Sequence, residues 1–586
     1  MSWLKGFFGR AESAAAAAKT PPDPAAPSQP GPWLAQRERA LEAGDLAGAA
    51  LAFEQGIASR PQDAALRLGL GRTLLELGQS AAAADRLRQA LALRRPGDGW
   101  APEQAHLLLG RALAQLDVLP EAFQHLETAA RLQPDHVDAL EEGARTLYRL
   151  QRHEEAVQWA DRLLQLKPDN VNGWLLRHLA LVRLNRFDEA LAAIDRALEL
   201  AGPHPTLLVN RAEPLERTGR LDDALAAVDQ ALALDPSHGE ARGNRVAVLL
   251  GLRKVNEAVA AAEEALRERP DDANLHTMLG IGLLLLGDLR RGWSEHEWRT
   301  RSAAFRQQEQ LRLGHPRWQG ESLEGRTIFL HTEQGFGDSI QFLRFVPEVA
   351  RRARTVLLLV KEGLEPLLAG ALPANCRVLP QHSVLPPIDF HCPLMSVPAV
   401  LGTNLDTLPA EVPYLRARPT AVQSWRTRLG AGAFHVGIAW SGNANHPNDR
   451  NRSMPLGEMR ALGDVEGCRF FALQPQMRPG DREVLAQWQG AVDCGSDLKD
   501  FADTAALIEA LDLVVTVDTS VAHLAGALGK PVWILLPYAP DWRWMLERSD
   551  SPWYPTARLY RQAVPGDWAS VTEQVRRDLG ALVAAR

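Results

Sequence analysis

The sequence predicts an α-helical solenoid followed by an α/β region built from two doubly wound halves. Three observations predict it. A small residue recurs at a spacing of 34 through the first half of the chain, as 156 − 122 and 292 − 258 show. Beyond about residue 306 the helical period gives way to short β-branched runs alternating with helical segments, the pattern of parallel sheets. Each α/β half carries one glycine-marked or hydroxyl-marked turn between a strand and a helix, where ligands of open sheets bind.

Length and composition bound the rest. A chain of 586 residues is too long for one core and divides into three or more domains. Lys plus Arg number 65 against 72 Asp plus Glu, a net −7, which argues against a dedicated nucleic-acid binder. No apolar run reaches the roughly 20 residues of a membrane span, and Met1–Arg10 lacks the apolar core of a secretory signal. The cysteines Cys376, Cys392, Cys468 and Cys494 are far apart and form no C-x-x-C. A zinc site or disulfide framework is not expected, and a reducing cytoplasm fits.

Residues 1–32 read as a disordered tether, rich in Ala, Pro and Ser after the apolar piece Trp3-Leu4-Lys5-Gly6-Phe7-Phe8. The repeat runs over 33–305. Its small residue falls at Ala50, Ala84, Ala122, Ala156, Ala190, Ala224, Ala258 and Gly292. Only 122 − 84 departs, giving 38, and Gly97-Asp98-Gly99-Trp100 supplies the extra residues. Prolines close units at Pro61, Pro96, Pro134, Pro168, Pro236 and Pro270. Paired helices of this period resemble the tetratricopeptide repeat, most closely at Arg186–Leu191 and Arg220–Leu225. Such an array stacks into a superhelix whose concave face holds a peptide or protein. Asn172, Trp174, Arg177, Asn210, Arg211 and Asn244 are candidates to line it or to form solvated faces. Trp293 and Trp298 in the last unit are expected to dock the array on the α/β region, across a polar connector from Arg301 to Gln310.

The first α/β half is assigned to 306–425 and the second to 426–586. Strands are predicted at 326–331, 355–360, 376–379 and 388–391, with a helix over 339–353. Pro-rich connectors at 409–419 separate the halves. The second half opens with the strand 435–440, continues at 469–473, and reaches the run Leu513–Leu536. Leu513–Val517 reads as a buried strand, Thr519 or Ser520 as a helix N-cap, and Gly529 with Pro531 as the stop before a strand from Val532. This unit puts Asp518, Thr519, Ser520 and His523 at a strand's carboxyl end and on the first helical turn, where free N–H groups and the helix dipole favour an anion.

Three further stretches carry chemistry. Gln334-Gly335-Phe336-Gly337-Asp338 is a glycine turn that lacks the Walker lysine and the third glycine of a dinucleotide fingerprint. Asp338 reads either as a general base or as a carboxylate on its own helix dipole. Ser441–Ser453 is a long polar loop with Arg450 and Arg452, either solvated or forked onto phosphate oxygens. The segments Pro537–Trp544 and Ser551–Pro555 are dense in aromatics, read as packing ahead of a sugar-stacking role.

Together, Gly337-Asp338 and Asp518-Thr519-Ser520-x-x-His523 resemble the heptosyltransferase-like glycosyltransferases of family 9, which have the GT-B fold of two Rossmann-like halves. The resemblance covers roughly 315–565. It implies Asp338 as the catalytic base and Asp518, Thr519, Ser520 and His523 at the donor phosphates. It implies Gly335 and Gly337 in the first turn, and Arg450 or Arg452 where heptosyltransferases have a lysine that stabilises the leaving nucleotide. Gln474 falls near a ribose-binding glutamate of that family, a departure that leaves nucleotide and sugar open. No Asp-x-Asp occurs, so no metal and no cofactor are expected beyond a nucleotide-sugar donor. Repeats joined to a GT-B pair resemble bacterial flagellin glycosyltransferases that use CMP-nonulosonic acids, and also the O-GlcNAc transferases that use a UDP-sugar. The resemblance to the first group implies a protein acceptor, flagellin, held by the repeats. A non-catalytic adaptor with a degenerate GT-B pair, or a glycan or lipopolysaccharide transferase, are the other readings.

Overall fold

The computed structural model describes residues 32–302, 305, 314–381, 383–446 and 448–586. The tether expected over 1–32, with its Trp3–Phe8 piece, lies outside the described residues except for Pro32, and so does most of the connector at 301–310. The described residues contain eight consecutive helix pairs, from Pro32–Glu42 with Leu46–Ser59 to Ala273–Leu285 with Leu289–His296. By compactness the chain forms two units, one ending at Ala241 and one beginning at Arg242.

In the first unit the expected small residues are buried at the helix crossings: Ala122, Ala190 and Ala224 at 0% exposure, Ala156 at 1%. The first two registers differ from the sequence reading by one residue. Second helices start at Leu46, Ser80 and Leu119, so the equivalent positions are Ala49, Ala83 and Ala122. The long unit therefore adds five residues (122 − 83 = 39, against a period of 34). Ala49-Ala50 and Ala83-Ala84 are alanine pairs, so composition could not choose between neighbours. Facing the crossing, Gly71, Gly110 and Gly143 leave no room for a Cβ against Leu87, Leu126 and Trp159. Of the candidate groove residues, Arg177 pairs with Asp161 (2.7 Å) and Arg211 with Asp195 (2.6 Å), one repeat apart. Asn172 donates to Glu141 (3.0 Å).

Each pair is joined by a turn whose residue two before the second helix is left-handed. Glycine fills it at Gly44, Gly78, Gly219 and Gly287, but Asp117, Gln151, Asn185 and Arg253 fill it elsewhere with φ of 59–64°. An L side chain there costs on the order of 1 kcal/mol. Gln151→Gly should raise stability by roughly 0.5–1 kcal/mol, read as a higher urea midpoint with an unchanged slope; a lower midpoint would show that Gln151 makes a compensating contact.

The second unit holds the last repeats and the α/β region. Trp293 docks as expected: it is 2% exposed and sits edge-on to Trp542 (5.2 Å, 88°) within one core that runs into both sheets. Trp298 does not. It stacks on His276 of its own repeat (3.8 Å, 9°) beneath the Arg301 guanidinium. The first sheet comprises β1 (Thr327–His331), β2 (Thr355–Leu359), β3 (Cys376–Val378) and β4 (Phe390–Pro393), all parallel in the order β3-β2-β1-β4. The second comprises β5 (Phe434–Ala439), β6 (Cys468–Ala472), β7 (Ala491–Asp493), β8 (Leu513–Val517), β9 (Val532–Leu536) and β10 (Ala557–Arg561). Its order β10-β9-β8-β5-β6-β7 is the doubly wound order, with the topological switch between β5 and β8. The fold is GT-B-like, as expected. Two short strands, β7 and β10, were not foreseen. The helix expected over 339–353 begins earlier, as α1 (Phe336–Phe342), and passes through a 3₁₀ turn at Leu343–Phe345 before Val346–Ala350. Pro347 lacks the N–H that would continue the helix.

Candidate functional site

The site forms where the carboxyl ends of β8 and β5 face the turn after β1. β8 is buried at every residue, as a central parallel strand must be, and delivers Asp518 and Thr519 at its end. Thr519 is the N-cap of α2 (Ser520–Ala527), its hydroxyl accepting from Val521 N–H (3.3 Å). Gly529 ends that helix in the left-handed conformation, φ +68°, the C-terminal stop read from the sequence. His523 lies one turn into α2, 5% exposed, stacked on Trp544 (5.4 Å, 22°).

α1 packs directly on α2. The close approach is at Gly337, where a Cβ would lie 2.8 Å from His523 Cδ2 and 3.6 Å from Ser520 Cα. Glycine is required here by space. This contact brings the two sequence motifs, one from each half, into a single locus. Asp338 accepts from Gly335 N–H through Oδ2 (2.7 Å) and pairs through Oδ1 with Arg543. Gly335 is the N-cap of α1 and is exposed.

Arg452 reaches the same place from the loop after β5. Its Nη1 donates to the Asp518 carbonyl (3.4 Å), and Nε lies 3.9 Å from Asp449. Gly442 leaves the space that the guanidinium fills, since a Cβ there would be 2.6 Å from Nη2. Arg450 is exposed on the same short helical turn, Asp449–Arg452. Gln474 lies one strand further out, past β6, where it is buried and donates to the Gln476 carbonyl (3.1 Å). Buried atoms without a protein hydrogen-bond partner gather at this end of the second sheet and across from it: Ser441 Oγ, Arg452 Nε and Gln341 Nε2. Buried polar groups are rarely left so, and a polar ligand would satisfy them. Among the described residues no group of three or more His, Cys, Asp or Glu is arranged to hold a metal ion.

The sequence reading missed the segment after β9 as a source of charge. Asp541-Trp542-Arg543-Trp544 was read for its rings, which do pack, Trp542 at 5% and Trp544 at 0% exposure. Arg543 between them is 6% exposed and bonds Asp541 (2.8 Å), Gln341 and Asp338. Its guanidinium stays charged, because neighbouring carboxylates outweigh its burial. The signal available was a lone Arg and Asp within an apolar run, residues that enter a core only when paired.

Electrostatics divide the site. His523 is held neutral, well below its usual 6.5, first by burial and then by Arg543, Arg344 and Arg452. His446, on the loop after β5, is lowered mainly by burial and then by Arg452, and it feels Asp541 and Asp338. Asp518 is pushed up to about 7 by burial and by the Asp541 carboxylate, against the Trp544 indole, Arg543 and Arg452.

Comparisons with known proteins match the repeats and part of the second α/β half. Tetratricopeptide repeat families match residues 40–101, 107–171, 175–239 and 215–281. The family described as glycosyltransferase family 9 (heptosyltransferase) matches 498–541, the stretch that carries β8 and α2. One chain thus joins tetratricopeptide repeats to a region similar to family 9 glycosyltransferases. Protein FlbA of Caulobacter vibrioides (strain ATCC 19089 / CIP 103742 / CB 15) is 27% identical over 314 residues, 49% of this chain and 51% of its own length. This chain thus spans about half the length of that relative. Solved repeat proteins are similar to part of this chain. One from Parabacteroides merdae ATCC 43184 is 16% identical with a TM-score of 0.34, covering 43% of this chain and 97% of its own. YrrB, described as a TPR protein with an unusual peptide-binding site, is 21% identical with a TM-score of 0.30, covering 33% and 97%.

Gly337→Ala should drive a methyl into His523 and cost about 1–3 kcal/mol, read by denaturant unfolding; an unaltered midpoint would show that the two halves part freely. Asp518 gives a pH signature. Its folded value lies above the 3.8 of the unfolded chain. Folding therefore takes up a proton between about pH 4 and pH 7, and the associated stability is lost as pH rises through that window. Asp518→Asn should gain on the native protein as pH goes from 5 to 8; a constant difference in unfolding free energy would contradict it.

Proposed function

We propose that the chain is a glycosyltransferase that moves a sugar from a nucleotide-sugar to a Ser or Thr hydroxyl of a protein held by the repeat array. The observation that carries this reading is the convergence of Asp338 with Thr519, Ser520 and His523 around the Gly337 contact. The repeats at 33–305 bind the acceptor, the half at 306–425 supplies the base, and the half at 426–586 binds the donor. The donor phosphates rest on the N-terminus of α2, with Ser520, Arg452 and the open Ser441 hydroxyl as further donors.

Asp338 takes the acceptor proton as the hydroxyl oxygen attacks the anomeric carbon. Each of its oxygens accepts one N–H already, and a carboxylate oxygen has a second lone-pair direction to receive a proton. A base so placed contributes about 10²–10⁴-fold. The bond to the nucleotide phosphate breaks as negative charge builds there. Arg452 and the first-turn N–H groups of α2 meet that charge without moving, which is how fixed dipoles lower a barrier. The resemblance to bacterial flagellin glycosyltransferases favours flagellin as acceptor and a CMP-nonulosonic acid as donor, in the cytoplasm. No described helix is long and apolar enough to cross a membrane.

The intact mass of flagellin from cells with and without this protein should differ by one or more glycan units, and the purified enzyme should turn over in the presence of a chelator. Asp338→Asn should lose transfer at least about 100-fold while still binding the donor in calorimetry. Full turnover by that variant would remove Asp338 from the reaction. Absence of heat with CMP-, UDP-, GDP- and ADP-sugars would leave the adaptor reading in its place.

A further inference from the structure

Beneath the donor-side helix lies a buried polar chain that the proposed reaction does not use. Tyr554 is fully buried, and its hydroxyl is 2.9 Å from His523 Nδ1. The ring has been given its seat. A Cβ on Gly526, mid-helix in α2, would lie 2.3 Å from the Tyr554 ring, so glycine occupies that position. Arg344 stands on the other side, 4% exposed, its guanidinium 4.7 Å from the Tyr554 ring centre, 4.9 Å from Tyr414 and 5.3 Å from Trp553. No carboxylate neutralises it among the described residues. Its N–H groups go to the carbonyls of Gln341 (2.9 Å), Trp553 (2.7 Å) and Pro409 (3.2 Å) and to the Tyr414 hydroxyl (3.2 Å).

The chemistry of the groups sets the direction of the Arg344 and Tyr414 bonds in this network. A guanidinium only donates. The Tyr414 hydroxyl accepts from Arg344 and donates its own hydrogen to the Ile340 carbonyl (3.0 Å). Tyr554 keeps its phenolic proton, since burial holds it well above the usual 10. Arg344 cannot accept the Tyr554 hydrogen, and His523 Nδ1, 2.9 Å from the hydroxyl, is an acceptor for it. A neutral imidazole accepting at Nδ1 must carry its hydrogen on Nε2. That nitrogen faces the first-half turn: a Cβ at Gly337 would be 3.4 Å from it.

We infer that Tyr554, ordered by Arg344, is a positioning residue that fixes His523 as the Nε2–H tautomer, so that the histidine presents a neutral hydrogen-bond donor to an anionic or hydroxyl-bearing ligand between the two halves. The ligand class rests on the reading of the site as a sugar-donor pocket; the tautomer does not. A neutral donor suits a phosphate that Arg452 would also meet, because it adds directionality without a further buried charge.

The test is a proton–nitrogen correlation spectrum of the full-length protein labelled at histidine nitrogens, with the His523 signals assigned by their loss in His523→Gln. The expected result is hydrogen on Nε2 in the native protein and a shift toward a mixed or Nδ1–H state in Tyr554→Phe. Hydrogen on Nδ1, or on both nitrogens at neutral pH, in the native protein overturns the inference, as does an unchanged pattern in Tyr554→Phe. If Tyr554→Phe does not fold, the native spectrum decides alone. Donor binding provides a second arm. His523→Gln, whose amide nitrogen sits near the place of Nε2, should hold donor affinity about tenfold better than His523→Asn; equal losses count against an Nε2 donor. A native protein that binds no nucleotide-sugar would defeat the pocket reading and leave the spectrum to be judged by itself.

Discussion

The Arg543 guanidinium is the constraint around which the α/β region is arranged. A buried cation is tolerated only when carboxylates and acceptors surround it, and removing one partner is far more costly than never having had the pair. Arg543 meets that demand with Asp541 from its own segment and with Asp338 and Gln341 from α1 in the other half. The charge therefore ties the candidate base to the half that carries the candidate donor site. It also stands beside Asp518 and His523, keeping the histidine neutral while opposing the protonation of Asp518. One buried charge thus bears on the position or ionisation of Asp338, Asp518, His523 and Asp541. The geometry also sets a requirement on chemistry: Asp338 can accept a proton only in the sector its two existing N–H bonds leave open, which restricts where an acceptor hydroxyl can stand.

Close approach is the second constraint, and it explains glycines that backbone conformation does not. Gly337, Gly442 and Gly526 have no positive φ. Each instead gives up its Cβ to a large side chain of the candidate site: His523, Arg452 and Tyr554 respectively. Space for a large or charged side chain is created by deleting a small one on the neighbouring element, so the site is specified by pairs of residues far apart in sequence.

This is why the fold was more legible than the site. Period and alternation are local, and they gave the eight helix pairs and the parallel strands, with β8 and β9 bounded as expected. Where local chemistry was degenerate the reading slipped, by one residue at Ala49-Ala50 and Ala83-Ala84. The strands β7 and β10 are three and five residues long and were not read; β10 carries Arg558 and Arg561, whose polar ends interrupt the apolar pattern. Among the candidate-site residues that the structure brings together, Asp338, Thr519, Ser520 and His523 stood out because a strand-to-helix turn advertises them. Arg543, Tyr554 and Arg344 were hidden within aromatic stretches, where rings that pack and rings that orient a histidine look alike until the partner is known.

The last repeat and the first α/β half share a second buried network. Arg299, just past the final repeat helix, is 9% exposed and bonds Glu297 (2.6 Å), Ser396 (2.8 Å) and Glu333 (2.5 Å). Arg317 joins it through Ser396 (2.7 Å) and Glu297. Glu333 lies in the turn after β1, five residues before Asp338 (338 − 333), and burial raises its carboxyl despite Arg299. A charge network in a core resists sliding, because each displacement leaves an ion without its partner. The turn bearing the candidate base is therefore anchored from two directions, by Arg543 from the donor half and by Arg299 from the terminal repeat. Any tilt of that repeat relative to the first sheet must either carry the turn bearing the candidate base with it or break the Arg299–Glu333 pair.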